Sequence, residues 1–170
     1  MSLANGLCAE NISHEEGGMS MAESSRGKEK VLIVDDEAQG IELIQELLRT
    51  NGYMVSIAHS GEEALKKVQA ELPDLILLDI MMPKMDGYQV CETLRNADDT
   101  KDIPIIFVTA KTEVKDWTHA IFNMGANSYI TKPINSKKLL EKVQSVLKMK
   151  RSRDDLRKTR EKLSKTMGEK

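Results

Sequence analysis

Three aspartates, a threonine and a lysine each follow an apolar run in this chain, and together they could do chemistry that none could do alone. Val31-Leu32-Ile33-Val34 runs into Asp35-Asp36, Leu75 to Leu78 into Asp79, and Ile105-Ile106-Phe107-Val108 into Thr109, while Lys132-Pro133 follows Tyr129-Ile130-Thr131. In an open parallel sheet the crevice for chemistry lies beyond the carboxyl ends of the strands, so residues at these ends are expected to meet in one pocket. Carboxylates gathered there repel, and some take up protons unless a cation neutralises them. A hard divalent cation with oxygen ligands does so, Mg²⁺ above all, and it commonly combines one or two carboxylates with waters and a phosphate. The set therefore points to phosphoryl chemistry. Asp79 is the candidate nucleophile, because carboxylates form aspartyl-phosphate intermediates. Lys132 offers a cation and Thr109 a hydroxyl donor to the phosphoryl oxygens. Taken singly, each has a plain structural use as a helix cap, a capping hydroxyl or a surface lysine. Their joint placement at four strand ends argues for function.

The elements that must hold these residues are readable from periodicity. Between Lys28 and Lys150 short apolar runs alternate with longer amphipathic ones, the pattern of βα units building a parallel sheet, and five units fit. The runs at Val31–Val34, Leu75–Leu78 and Ile105–Val108 are almost continuously apolar, as central strands covered on both faces should be. Tyr53 to Ala58 and Asn127 to Ile130 are more mixed and read as outer strands. Ile41, Ile44, Leu47 and Leu48 share one helical face, as do Val114, Trp117, Ile121 and Met124. Ser60 precedes a helix from Gly61, Gly52 and Gly125 stand where helices should stop, and Pro73 separates a helix from the strand at Asp74.

Composition limits what else the chain can be. At 170 residues, with 40% apolar and 31% charged residues, it has enough chain for one core and no run near the ~18 apolar residues of a membrane span. No secretory signal is visible at the start, so a cytoplasmic protein that does not engage membranes is expected. Cys8 and Cys91 are too few for a disulfide framework and read as reduced bystanders. Residues 1–27, rich in Ser, Gly and Glu without periodicity, are expected to be disordered or loosely attached.

The net charge of −2 hides an asymmetry: from Lys148 to Lys170 ten Lys/Arg face four Asp/Glu, a balance of +6. Leu139, Val143, Val146 and Leu147 mark a last domain helix, and Met149, Leu156 and Leu163 recur every seven residues after it. That helix is expected to continue past the domain as a basic extension over residues 150–170. Arg153 and Arg160 hold the alternate seam positions, so a paired coiled coil and a solvated lone helix both fit. Without aromatic interleaving or a DNA-binding motif, the charge alone does not indicate nucleic acid.

The stretches "VLIVDDE", "LILLDIMMPKMDG", "IPIIFVTAK" and "YITKPI", in that order and with Asp79 and Thr109 thirty residues apart, resemble the receiver domain of two-component response regulators, the CheY-like family. The resemblance covers about Glu29 to Met149, within a domain placed at 28–149. It implies an α/β, doubly wound, flavodoxin-like (βα)5 fold with strand order 2-1-3-4-5. It also implies Mg²⁺-dependent phosphoryl transfer from a histidine kinase or phosphotransfer protein to Asp79. By that resemblance Asp35, Asp36 and Asp79 are metal ligands, Asp35 mainly through water, with the main-chain carbonyl of Met81 completing the protein shell. Thr109 and Tyr129 become the switch residues, Lys132 the partner of the phosphoryl group, and Lys132-Pro133 a cis bond. Helix four, strand five and helix five become the readout surface. That surface, or the C-terminal helix, is then a candidate homodimer contact.

Two other readings are separable. A haloacid-dehalogenase-like phosphatase also uses an Asp nucleophile and Mg²⁺, but needs a second Asp two residues later, where this chain has Met81. Turnover of phosphate esters is therefore not expected. A receiver fold that works by protein contact without phosphorylation usually lacks an acid or the lysine, and this chain keeps all of them. Met81 and Lys111, two residues beyond Asp79 and Thr109, flank the phosphoryl position and should influence how water reaches it.

Overall fold

A computed structural model describes residues 28–110 and 124–168. The expected N-terminal extension, Cys8, Lys111 and most of the predicted helix around Val114, Trp117 and Ile121 lie outside the described residues. Five strands form one parallel sheet: β1 (Lys30–Val34), β2 (Met54–Ala58), β3 (Leu75–Asp79), β4 (Ile105–Thr109) and β5 (Ser128–Thr131), in the order β2-β1-β3-β4-β5. The helices are α1 (Ala38–Thr50), α2 (Gly61–Glu71), α3 (Gly87–Arg95) and a C-terminal helix, Ser136–Gly168. The mixed runs read as outer strands are indeed β2 and β5, at the two edges.

Alternation along the strands sorts the core into two layers, because successive strand side chains point to opposite faces. Leu32, Val34, Ile76, Leu78, Ile105 and Phe107 face α2 and α3 through Ala64, Val68, Val90, Cys91 and Leu94. Val31, Ile33, Leu75, Leu77, Ile106 and Val108 face α1 and the C-terminal helix through Ile41, Ile44, Leu48, Leu139, Val143, Val146 and Leu147. Both faces of the central strands are therefore buried, which is why β3 and β4 read as unbroken apolar runs. Each fully buried Leu, Ile or Phe contributes about 1.5–3 kcal/mol relative to exposure. Met124, the last residue of the predicted fourth-helix stripe, packs half-buried against the α2 and α3 layer.

Local chemistry sets the boundaries. The Ser60 hydroxyl accepts from Glu63 N–H at 3.2 Å and caps α2. After α1, Gly52 takes a φ of +88°, and Gly125 takes +68° before β5. Arg95 at the end of α3 donates to the carbonyls of Gly125, Lys101 and Ile103, tying α3 to the approaches of β4 and β5. Beside it the Cys91 thiol donates to Met124 O at 3.2 Å, and burial pushes this thiol above its ordinary value, so it stays protonated.

Between β3 and α3 the chain makes a tight turn. Met85 N–H donates to Pro83 O at 2.8 Å across Lys84, whose φ is +67°. A lysine held there stores strain of order 1 kcal/mol. Lys84→Gly is expected to raise stability by up to roughly 0.5 kcal/mol, because relief of the strain slightly outweighs the extra unfolded-state freedom of glycine. A urea titration should show a higher midpoint at unchanged slope; a lower midpoint would mean that the turn carries no strain.

Candidate functional site

Strand register brings the polar residues to one level. Val34 pairs with Leu78, so Asp35 and Asp79 leave their strands side by side; Asp79 pairs with Val108, so Thr109 follows one step beyond; Thr109 pairs with Thr131, and Lys132 comes next. The ladder runs on past the ends: Ile80 N–H donates to Val108 O at 3.3 Å and Lys132 N–H to Thr109 O at 2.8 Å. The rim is thus held by main-chain bonds. The Lys132-Pro133 bond is cis, as the resemblance to receiver domains implies.

The three carboxylates predicted to meet do so: one oxygen each of Asp35, Asp36 and Asp79 lies within 4.8 Å of the others. Asp35 and Asp79 are only 2% and 4% exposed, whereas Asp36 is open to solvent. Lys132 Nζ reaches in across the rim, 2.9 Å from Asp35 Oδ2 and 3.0 Å from Asp79 Oδ2, with Glu37 Oε2 at 3.6 Å. Asp79 Oδ1 accepts from Met81 N–H at 3.1 Å, and Asp35 Oδ1 from Glu37 N–H at 2.9 Å. Thr109 is buried at the tip of β4. Tyr129 is half-buried, packs against the α2 and α3 layer, and carries Lys142 Nζ over its ring at 5.3 Å.

Electrostatics at this rim are dominated by burial. Burial pushes the Asp79 carboxyl above its ordinary value, and neighbouring Asp35 adds to that, although Lys132 and the Met81 N–H pull the other way. Burial alone would push Lys132 down, yet its contacts with Asp35 and Asp79 lift it well above its usual value, so it stays charged throughout the physiological range. One ammonium thus faces three carboxylates, counting Glu37, and the rim keeps an excess of negative charge.

That excess has the form of a cation site. Asp35 Oδ2 is buried and, although close to Lys132 Nζ, finds no hydrogen bond of adequate geometry. An all-oxygen donor set around such an atom fits a hard divalent cation. The described residues can therefore hold a metal ion with Asp35, Asp36 and Asp79.

Two contributors were not singled out from the sequence. Glu37 is the third acid of "DDE", and only its approach to Lys132 gives it a place at the rim. Asp86 and Gln89 form a capping box at the start of α3: Asp86 Oδ1 accepts from Gln89 N–H at 2.9 Å and Gln89 Oε1 from Asp86 N–H at 3.1 Å. The spacing D-x-x-Q is legible as a cap, and here it anchors the loop that leaves Asp79.

A family profile described as the response regulator receiver domain matches residues 31–144. The chain belongs to this receiver family. Among its curated relatives, "Probable transcriptional regulator ycf27" of Guillardia theta is 45% identical over 121 residues, covering 71% of this chain and 46% of that protein. The alkaline phosphatase synthesis transcriptional regulatory protein PhoP of Bacillus subtilis is 43% identical over 119 residues, covering 70% of this chain and 48% of PhoP. The receiver chain thus spans about half the length of the curated relatives it matches. A CheY-like response regulator receiver domain protein from Methanospirillum hungatei is 31% identical and superposes with a TM-score of 0.69, covering 75% of this chain and 99% of that one. These matches agree with the fold seen here, a five-stranded CheY-like receiver with a long helix at its C-terminal end. Among the described residues no helix is long and apolar enough to cross a membrane.

Proposed function

We propose that this receiver domain accepts a phosphoryl group on Asp79 from a histidine kinase or a histidine phosphotransfer protein in the cytoplasm. One observation carries the reading: Asp79, buried at the tip of β3, shares Lys132 with Asp35 while three carboxylates converge within 4.8 Å. Asp35, Asp36, Asp79 and the Met81 main-chain carbonyl would hold Mg²⁺, which when bound neutralises carboxylate and phosphoryl charge. Asp79 then supplies the attacking oxygen, the P–N bond of the donor phosphohistidine breaks, and an acyl phosphate forms on Asp79. Acceptance is stoichiometric, with no turnover beyond later hydrolysis of that acyl phosphate.

Lys132 pairs with the phosphoryl oxygens and Thr109 donates its hydroxyl to them. The added charge of about −1.5 to −2 draws Thr109 inward and biases the position of Tyr129. The proposed readout surface is the predicted fourth helix with β5 and the domain part of the C-terminal helix, offered to a second copy or a downstream partner. Residues 28–149 form the receiver body in this reading, and 150–170 a basic helical linker.

Incubation with acetyl phosphate and Mg²⁺ should add the mass of one phosphoryl group, removable by hydroxylamine, to the unsubstituted chain only. Asp79→Asn and a chelator control should remain unlabelled. Absence of any mass gain would favour the phosphorylation-independent interaction module instead.

A further inference from the structure

The C-terminal helix outruns the domain it packs on. Its apolar contacts end at Leu147, and the next two turns are fastened by charge to the strand-entrance edge of the sheet. Lys150 Nζ lies 2.9 Å from Asp74 Oδ1 and 3.1 Å from Asp154 Oδ2, Arg151 Nε lies 3.5 Å from Glu29 Oε1, and Arg153 Nη2 donates to Asp102 O at 2.6 Å. These ties fix the direction in which the helix leaves. From Asp155 to Thr166 every side chain is exposed.

Along that projecting stretch the faces differ in chemistry. Leu156 is 72% exposed and Leu163 59%, in line with exposed Met149, because a seven-residue step returns to nearly the same side of a helix. Thr159 and Thr166 flank the leucines on one side and Arg153 and Arg160 on the other, with Arg157 beyond the arginines. Among the described residues, three exposed apolar side chains in register, bordered on one side by cations, form a seam without a cover. The occupant follows from charge. A second copy aligned in parallel would set Arg160 on Arg160 in the seam, and an antiparallel copy would lay one basic edge along the other, although Lys150, Arg153 and Arg157 already contact Asp74, Asp102 and Asp154 of their own chain. Nucleic acid would use the cations and leave the leucines in water.

We infer that the helix beyond Arg153 docks an acidic amphipathic helix of another protein, whose leucines pack on Leu156 and Leu163 and whose carboxylates face Arg160. Such a seam uses apolar anchors for affinity and flanking charge for choice of partner. It is independent of whether Asp79 is phosphorylated.

The test uses the full chain and a fluorescein-labelled three-heptad peptide with Leu at both seam positions and Glu beside them, read by anisotropy. A counterpart with Lys in place of Glu and an unrelated DNA duplex serve as competitors. The acidic peptide is expected to bind about tenfold or more tightly than the Lys peptide, and Leu156→Ser with Leu163→Ser to weaken it about tenfold at unchanged melting temperature. Arg160→Glu is expected to narrow the preference for the acidic peptide. Equal binding of the two peptides, or binding indifferent to the leucine changes, would overturn the inference. So would a self-associated chain that becomes monomeric on the leucine substitutions, which makes a second copy the occupant, or DNA that competes fully in a leucine-independent manner.

Discussion

Lys132→Met, studied without divalent metal at neutral pH, is expected to lose about 2–4 kcal/mol of stability. The side chain keeps its apolar length and loses only the ammonium that sits 2.9 Å from Asp35 and 3.0 Å from Asp79. Two nearly buried carboxylates then face each other with no cation between them. The loss falls at or below the usual range for breaking a buried pair because Lys132 retains 20% exposure and Asp36 opens to water. The dependence on pH has a definite sign. Asp79 already titrates above its ordinary value, and removing Lys132 takes away the largest influence lowering it. A carboxyl raised in the folded state binds its proton more readily there than in the unfolded chain, so stability rises as pH falls through that raised value towards the ordinary one. The deficit of the variant should therefore shrink on going from about pH 8 to about pH 5. Lys132 itself, raised in the folded protein, contributes fully below its unfolded value and loses this contribution only in strongly alkaline solution. Mg²⁺ should recover more stability in the variant than in the parent if the acids hold it. Lys132→Arg should restore charge but not geometry, since a guanidinium is a wide planar fork rather than a compact ammonium. Urea titrations with and without Mg²⁺ at both pH values check the whole pattern; equal stability of parent and Lys132→Met in chelator would defeat it.

Much of this arrangement was readable in advance. The central strands announced themselves because β3 and β4 are covered on both faces; which of Leu32, Val34, Val31 and Ile33 belongs to which layer came only with the structure. Convergence of Asp35, Asp79 and Lys132 was legible because each comes just at or after a strand end, and parallel neighbours in register deliver their terminal residues to one edge. The features that stayed hidden involve partners far apart in the chain or made of backbone. The grip of Arg95 on Gly125 O, Lys101 O and Ile103 O has no side-chain signature at the accepting end. The tie between Lys150 and Asp74 spans 76 residues and looks in sequence like two more surface charges. Glu37 stands at the N-cap of α1, and only the reach of Lys132 across the rim makes it part of the site.

Gly87 was likewise silent in the sequence, where "MDG" reads as an ordinary turn, and its replacement links the fold to the chemistry. A Cβ on Gly87 would stand 2.3 Å from Asp79 O and 2.9 Å from Ile80 Cα, both backbone atoms of the segment that carries the candidate phosphoacceptor. No rotamer change relieves such a contact; α3 or the end of β3 must move. Alanine is the better helix former by up to about 1 kcal/mol, which acts in the opposite direction. Overpacking costs about 1–3 kcal/mol, and displacement also strains the Gly87 N–H to Ile80 O bond at 3.0 Å and the Asp86 and Gln89 capping box. The clash wins, and Gly87→Ala is expected to lose about 2 kcal/mol, or about 4–8 °C in melting temperature. Labelling by acetyl phosphate should fall by an order of magnitude or more, because a shift of about 1 Å at a reacting group commonly costs that much. Gly52→Ala is the matched control. Its φ of +88° makes alanine costly by roughly 1 kcal/mol, yet nothing lies within 4 Å of the new Cβ and the residue is far from the rim in the fold. That variant should be less stable and label at the parental rate. If Gly87→Ala also labelled at the parental rate, the close approach of α3 to Asp79 would have no part in setting the geometry of the phosphoacceptor.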